Sequence, residues 1–406
     1  MDKLNVFSEI GRLKTVLLHE PSEELDNLTP KYLQELLFDD IPWLPLAKKE
    51  HQAFRDAFIN ANVKVVYLSD LVTEALDTSL DVRNEFIHEF IQEADIKNDD
   101  LSLILEKYLK SIKDTKTLVK KTMSGIKKTE VKSYSLKSLA DYIGEYPFLT
   151  DPMPNLYFTR DPFSIIGCGV SLNKMYSSVR SRETIYGKYI FKYHPIYKNT
   201  PLYFNRENKA NIEGGDILVL NKETIIVGVS QRTSPSAVEV LAKNILIKQN
   251  TSFKNVLVFT IPNHRTFMHL DTIFTQVDID KFTIHKECYK TLKIFILTKS
   301  PTKDSLIIKK ETLPLEKVLE RYTGNKVTLI PCGGDDSVSA DREQWSDGSN
   351  TICIAPGEVI AYERNYITNK VLESYGIKVY TIPSSELSRG RGGPRCMSMP
   401  LERENI

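Results

Sequence analysis

Residues 216 to 229 read Asp216-Ile217-Leu218-Val219-Leu220-Asn221-Lys222-Glu223-Thr224-Ile225-Ile226-Val227-Gly228-Val229. Two apolar runs of strand length flank a polar turn, which is the pattern of a β-hairpin rather than of a helix. Ser234 then stands where it can cap exposed amides and Pro235 suits a first helical position, so a helix is predicted over 235–243, followed by a strand over 255–261. The unit is strand, hairpin, strand, helix, strand. The same order recurs as strand 351–355, turn Pro356-Gly357-Glu358, strand 359–362, helix 368–375 and strand 378–382. A third copy begins at Asn155-Leu156-Tyr157-Phe158, passes 164–170 and continues into a helix near 182–189, while 14–19, 51–61 and 64–68 predict an incomplete copy. Units of this kind bury their faces against each other, either as a solenoid or closed about an axis. In a closed ring the hairpin ends meet at the centre, where one polar group from each copy can converge.

Composition bounds what such a chain can be. With 406 residues, 41% of them hydrophobic and 26% charged, it is an ordinary globular protein of two to three units, which excludes a disulfide-stapled miniprotein and global disorder. Lys+Arg 54 against Asp+Glu 53 leaves a net charge of +1, which argues against a dedicated nucleic-acid binder. No apolar run approaches the roughly 18 residues of a membrane span, and Met1-Asp2-Lys3-Leu4-Asn5 lacks a signal peptide's apolar segment, so a cytoplasmic protein is expected. The five cysteines, Cys168, Cys288, Cys332, Cys353 and Cys396, include no close pair and are expected to be reduced thiols.

One stretch departs from the repeat. No proline occurs between Pro45 and Pro147 and no glycine between Gly11 and Gly125, while Phe86, Ile87, Phe90 and Ile91, then Leu101, Ile104, Leu105, Tyr108 and Ile112, recur at helical spacing. Asp99 or Asp100 is placed to cap the second run. The predicted organisation is a first part of an α/β domain over 1–73, a helical subdomain over 74–146 and the remainder of the α/β domain over 147–406. The lysine-rich part from Lys107 to Lys132 reads as the solvated face of those helices.

Chemistry concentrates in four short segments. In Ser388-Arg389-Gly390-Arg391-Gly392-Gly393-Pro394-Arg395-Cys396-Met397 the glycines permit close backbone approach, and Arg391 and Arg395 are expected to favour a thiolate at Cys396. A phosphate loop or an inert buried cysteine is the alternative there. Met268-His269-Leu270-Asp271-Thr272 sets an imidazole and a carboxylate two apart, Asn211-Ile212-Glu213-Gly214-Gly215-Asp216 presents Glu213, and Tyr157-Phe158-Thr159-Arg160-Asp161-Pro162 presents Asp161. Each acid alone suits a turn hydrogen bond. Together, carboxylates around a Cys and a His suit a planar cation that donates paired hydrogen bonds, and a guanidinium is such a cation.

These residues resemble the arginine deiminases of the guanidino-group-modifying superfamily over nearly the whole chain. The resemblance is carried by Asn155-Leu-Tyr-Phe-Thr-Arg-Asp161-Pro, Ile212-Glu-Gly-Gly-Asp216, Met268-His-Leu-Asp-Thr272, Arg342-Glu-Gln-Trp345 and Arg391-Gly-Gly-Pro-Arg-Cys396-Met-Ser-Met-Pro400, with Leu36-Leu-Phe-Asp-Asp40 near the N-terminus. It implies a five-bladed pseudosymmetric α/β propeller of ββαβ repeats with a helical insertion. It also implies hydrolysis of L-arginine to L-citrulline and ammonia, the first step of fermentative arginine degradation, with no metal or organic cofactor. An amidinotransferase or methylarginine hydrolase of the same superfamily, or an inactive arginine-binding protein, is the alternative. No nucleic-acid or membrane partner is expected, and a homo-oligomer, dimer or larger, is.

Carried over by residue, Cys396 resembles the nucleophile, His269 the acid and then base, and Glu213 its orienting carboxylate. Asp161 and Asp271 resemble the pair that holds guanidinium nitrogens. Arg180 and Arg232 resemble the clamp on the substrate α-carboxylate, although Gln231 stands where many relatives carry Glu. Asn155, Phe158 and Arg391 complete the implied pocket. The segment from about 285 to 326 matches weakly and leaves the unit boundaries there unassigned.

Overall fold

A computed structural model describes residues 4–96, 99–131, 146–262, 267–289 and 291–406. Five of its sheets share one pairing order, in which a strand pairs antiparallel with the next and that second strand pairs parallel with a third reached through a helix. Phe163–Ile166, Gly169–Leu172 and Leu202–Phe204 form one, around helix Thr184–Tyr193. Ile217–Asn221, Thr224–Val229 and Asn255–Thr260 form the next, around helix Pro235–Lys243, whose Ser234 side chain accepts the Ala237 N–H as its sequence predicts. Phe274–Gln276, Lys281–Ile284 and Thr328–Pro331 surround helix Leu315–Thr323. Ile352–Ala355, Glu358–Tyr362 and Lys378–Ile382 surround helix Tyr366–Ser374.

The fifth sheet completes the copy that the N-terminal sequence leaves unfinished. Met399–Arg403 pairs antiparallel with Leu13–Leu18, which pairs parallel with Lys64–Tyr67 beyond helix Leu44–Asn60. The first strand of this unit therefore comes from the opposite end of the chain. Leu13–Leu18 is buried on both faces, as a strand between two packed layers must be. Leu17 joins Leu401, Ile165, Val170 and Val219 in one apolar cluster, while Leu13, Val16 and Leu18 join Ile352, Ile360 and Met397 in another.

Between 285 and 326, where the sequence leaves boundaries open, an antiparallel pair Lys293–Lys299 and Leu306–Lys310 extends the second sheet beyond Asn255–Thr260. Helices Leu68–Leu76, Leu80–Glu93, Asp99–Ser111 and Thr115–Ser124 lie between Lys64–Tyr67 and Phe163–Ile166 in the chain. Their apolar faces, Phe86, Ile87, Phe90, Leu105 and Leu118 among them, are buried in the cluster that holds Tyr186 and Tyr189. Asp99 and Asp100 are inside the first turn of their helix, where acidic side chains favour the positive end of the helix dipole. The part of the expected helical region over 132–145 lies outside the described residues. Among the described residues, no helix is long and apolar enough to cross a membrane.

Joining the two chain ends in one sheet makes the C-terminal strand part of the core. Leu401→Ala, which empties a side chain only 3% exposed, is expected to lower unfolding free energy by about 2–5 kcal/mol in urea denaturation. A loss below about 1 kcal/mol would contradict that role.

Candidate active site

The chemistry-bearing residues occupy equivalent places in successive units, just ahead of each first strand. Asp161 precedes Phe163–Ile166, Glu213 precedes Ile217–Asn221, His269 and Asp271 precede Phe274–Gln276, Asn350 precedes Ile352–Ala355, and Cys396 precedes Met399–Arg403. Sequence-remote groups thus gather in and behind the wall of one cavity of about 410 Å³, with Asp161, His269 and Cys396 lining it. Of the ten residues expected at the site, Asn155, Phe158, Asp161, Arg180, Arg232, His269, Arg391 and Cys396 line it, and Glu213 and Asp271 stand behind its wall, fully buried.

Glu213 and His269 form the best-defined pair. Glu213 Oε2 lies 2.8 Å from His269 Nε2, and Oε1 accepts the Tyr176 N–H at 2.9 Å, which fixes the carboxylate at both oxygens. The ring packs against Gly215, where a Cβ would lie 2.6 Å from the imidazole Cγ, so the absence of a side chain at 215 admits the histidine. Burial opposes charge on His269, but the charge of Asp161, the hydrogen bond to Glu213 and the charge of Asp216 outweigh it and raise the imidazole to about 9. Burial likewise opposes charge on Glu213, and the His269 hydrogen bond together with the Arg232 charge brings its carboxyl down instead. The resting pair is imidazolium and carboxylate.

On the other side, Asp271 Oδ2 accepts from Arg395 Nη1 at 2.7 Å and lies 3.8 Å from Cys396 Sγ. The Cys396 N–H donates to Asn350 Oδ1 at 3.0 Å, which anchors the backbone of the thiol. Arg395 also donates to Glu9 Oε2 at 3.2 Å and to the Ile217 carbonyl at 2.9 Å. This corrects the expectation that Arg391 and Arg395 favour a thiolate. Burial and the charges of Asp271, Asp161 and Asp347 push the Cys396 thiol well above its ordinary range, and the opposing charge of Arg395 does not overcome them. Arg391 is directed elsewhere, 3.7 Å over the Trp345 ring and 3.6 Å from Asp39. Asp39 and Arg391 both line the cavity, and nearby in sequence Arg389 pairs with Asp40.

The expected carboxylate clamp is asymmetric. Arg180 Nη1 donates to Asp161 Oδ2 at 2.7 Å, while its Nε and Nη2 engage Glu183 at 2.8 to 3.1 Å. Arg232 keeps a weaker set of contacts, 3.7 Å to Met268 Sδ and 3.8 Å to Glu213, and its Nε has no hydrogen-bond partner. Asn155 donates to the Leu36 carbonyl at 2.9 Å, tying the pocket floor to the segment that carries Leu37, Phe38 and Asp39 into the lining.

Two buried acceptors lack donors. Asp161 Oδ1 and Asp271 Oδ1 have no hydrogen-bond partner, and an orphaned buried carboxylate oxygen is costly. Asp161 Oδ1 is 3.9 Å from His269 Nδ1, beyond a hydrogen bond. Asp161, Glu213 and His269 also offer donor atoms within 4.8 Å of one another, close enough to hold a cation. A planar organic cation that brings several N–H groups fits the two orphaned oxygens more fully than a point charge does.

Sequence reasoning missed Asn350, Glu183, Asp347 and the Glu9–Arg395 pair. Asn350 carried a usable signal, because it stands directly before the repeat strand that begins at Ile352. The sequence model of the arginine deiminase family matches residues 34–403. An arginine deiminase of Clostridium perfringens is 55% identical over 407 residues, covering 99% of this chain and 98% of that protein. One of Streptococcus gordonii is 53% identical, covering 99% of each. Among solved structures, an amidinotransferase of Microseira wollei from a saxitoxin biosynthetic pathway superposes with a TM-score of 0.55 at 12% identity, covering 99% of this chain and 98% of that one. A dimethylarginine dimethylaminohydrolase adduct with S-methyl-L-thiocitrulline gives 0.51 at 14% identity, covering 95% and 99%. The fold is thus a mixed α/β fold shared with these enzymes.

The electrostatics of the thiol can be tested directly. In free protein at pH 7, Cys396 is expected to react with iodoacetamide more slowly than free cysteine, and Asp271→Asn to speed it about tenfold or more, with the site of alkylation read by peptide mass spectrometry. An unchanged or slower rate in the variant would remove Asp271 as a cause of the thiol's inertness.

Proposed function

The chain belongs to the arginine deiminase family, and we propose that it hydrolyses L-arginine to L-citrulline and ammonia through a covalent intermediate on Cys396. The observation that carries the mechanism is the pair of donorless buried oxygens, one on Asp161, which lines the cavity with Cys396, and one on Asp271, whose other oxygen lies 3.8 Å from the sulfur. A guanidinium supplies N–H donors to both and places its central carbon over the sulfur. Arg232, with an unpartnered Nε, offers donors to an α-carboxylate at the far end, and Arg180 assists with the N–H groups left over from Asp161 and Glu183.

The order of charges gives the reaction its sequence. In the empty site the sulfur is a thiol, and the arriving cation lowers the cost of ionising it, so that the thiol gives its proton to water as the guanidinium binds. The sulfur attacks the guanidinium carbon, the bond from that carbon to one terminal nitrogen breaks, and imidazolium His269 gives its proton to the departing ammonia. The neutral imidazole, held by Glu213, then takes a proton from a water that attacks the sulfur-bound carbon. The carbon–sulfur bond breaks, the remaining hydroxyl proton passes to the departing sulfur to restore the thiol, and citrulline leaves. The five similar sheets are read as blades of a pseudosymmetric propeller, and the helices of 74–146 as an insertion in it. Identical strand pairing in each unit, and the sheet that joins both chain ends, support this reading.

Cys396→Ser is expected to lower citrulline release by at least about a thousandfold. Wild-type protein quenched in acid during turnover should carry an amidino adduct on the Cys396 peptide. Full activity in the serine variant would refute the mechanism. Agmatine, which lacks the carboxylate, is expected to be a poorer substrate than L-arginine by about a hundredfold or more in kcat/KM, and equal use of the two would remove Arg232 and Arg180 as a clamp.

A further inference from the structure

Asp216 ends the Glu213-Gly214-Gly215-Asp216 turn, is fully buried, and lies outside the cavity lining. Its two oxygens serve two different parts of the site. Oδ1 accepts the Leu270 N–H at 2.8 Å, and Leu270 is the residue between His269 and Asp271. Oδ2 accepts the Ser230 hydroxyl at 2.6 Å. Ser230 Oγ in turn accepts the Arg232 N–H at 3.0 Å and the Thr233 N–H at 3.2 Å, closing the turn that presents Arg232. Thr233 Oγ1 accepts the Glu213 N–H at 3.1 Å and brings the circuit back to the histidine's partner. The carboxylate reaches both turns because position 228 is glycine, where a Cβ would lie 2.4 Å from Asp216 Oδ1.

We infer that Asp216 is a positioning residue for the reaction, tying the His269–Asp271 turn to the Arg232 turn and holding His269 in its protonated form. This rests on the arginine-hydrolysing reading above. Among the described residues Asp216 pairs with no Lys or Arg, so its negative charge is not cancelled locally and is felt by the imidazole. His269 faces the carboxyl groups of Asp161, Glu213 and Asp216, and Arg180 and Arg232 pair with Asp161 and Glu213 respectively. Burial pushes the Asp216 carboxyl up to about 6, against the opposing influence of His269 and the Ser230 hydrogen bond. It is therefore ionised through the pH range in which His269 must be charged.

Two variants separate the two duties. Asp216→Asn keeps the shape and removes the charge, so the alkaline fall of kcat with pH is expected to move down by roughly one unit. Ser230→Ala keeps the charge and loosens the Arg232 turn, so KM for L-arginine is expected to rise about tenfold with the alkaline midpoint unchanged. Folding of each variant is followed by circular dichroism, and citrulline release by wild type is measured beside them. Turnover by wild type with an alkaline limb identical in Asp216→Asn overturns the inference, as does an unchanged KM in Ser230→Ala. If Asp216→Asn does not fold, the Ser230→Ala result decides. Absence of citrulline from wild type sinks the functional reading itself, which distinguishes the two failures.

Discussion

The constraint on which this site depends is negative charge held out of water beside a thiol. Asp161, Asp271 and Glu213 are buried, and two of their oxygens have no donor. Such an arrangement lowers stability unless something else in the fold holds the carboxylates in place. That hold is visible: Arg180 fixes one oxygen of Asp161, Arg395 one oxygen of Asp271, and His269 with Tyr176 both oxygens of Glu213. In the first two, one oxygen is anchored and its buried twin has no donor. Strain of this kind at a cavity wall is what a cationic ligand relieves on binding.

Placing these groups together requires the repeat. Each unit begins its first strand beside the cavity, so the residue just ahead of that strand is delivered to the same place in every copy. The last delivery is the most constrained, because Cys396 precedes a strand that pairs with Leu13–Leu18. The thiol cannot reach Asp271 until both ends of the chain are in register. Placement of the thiol and closure of the fold thus share one sheet, and the Glu9–Arg395 ion pair links the N-terminal segment directly to the residue before Cys396.

Much of this was legible in the sequence where the signal was local. The hairpin at 217–229, the Ser234 cap and the strand at 378–382 follow from alternation, turn chemistry and capping within a dozen residues. Met399–Arg403 was not read as a strand of the first unit, because its partner lies at the other end of the chain and no local pattern encodes that pairing. The pair Lys293–Lys299 and Leu306–Lys310 was unassigned because the second of these strands is almost entirely exposed and carries no buried alternation. At the site, residue types singled out Cys396, His269 and the acids that the fold brings together, whereas charge balance was misread at Arg395. A sequence shows two arginines near a cysteine but not that Glu9 and Asp271 absorb the nearer charge, nor that Trp345 and Asp39 hold the other.

The excess of anions also explains why the sulfur is not activated in advance. A papain-like pair keeps its thiolate ready beside an imidazolium, and the cost is exposure to oxidants and alkylating agents. Here His269 is already charged, but its partner is Glu213 rather than the thiol, and the carboxylates around Cys396 oppose a second negative charge. A neutral molecule entering the cavity leaves that opposition intact. A cation placed between Asp161 and Asp271 removes it, so the same charge that secures binding also generates the nucleophile. On this reading preference for a cation belongs to the activation step itself, and the planar N–H donors that the orphaned oxygens call for narrow that preference to a guanidinium.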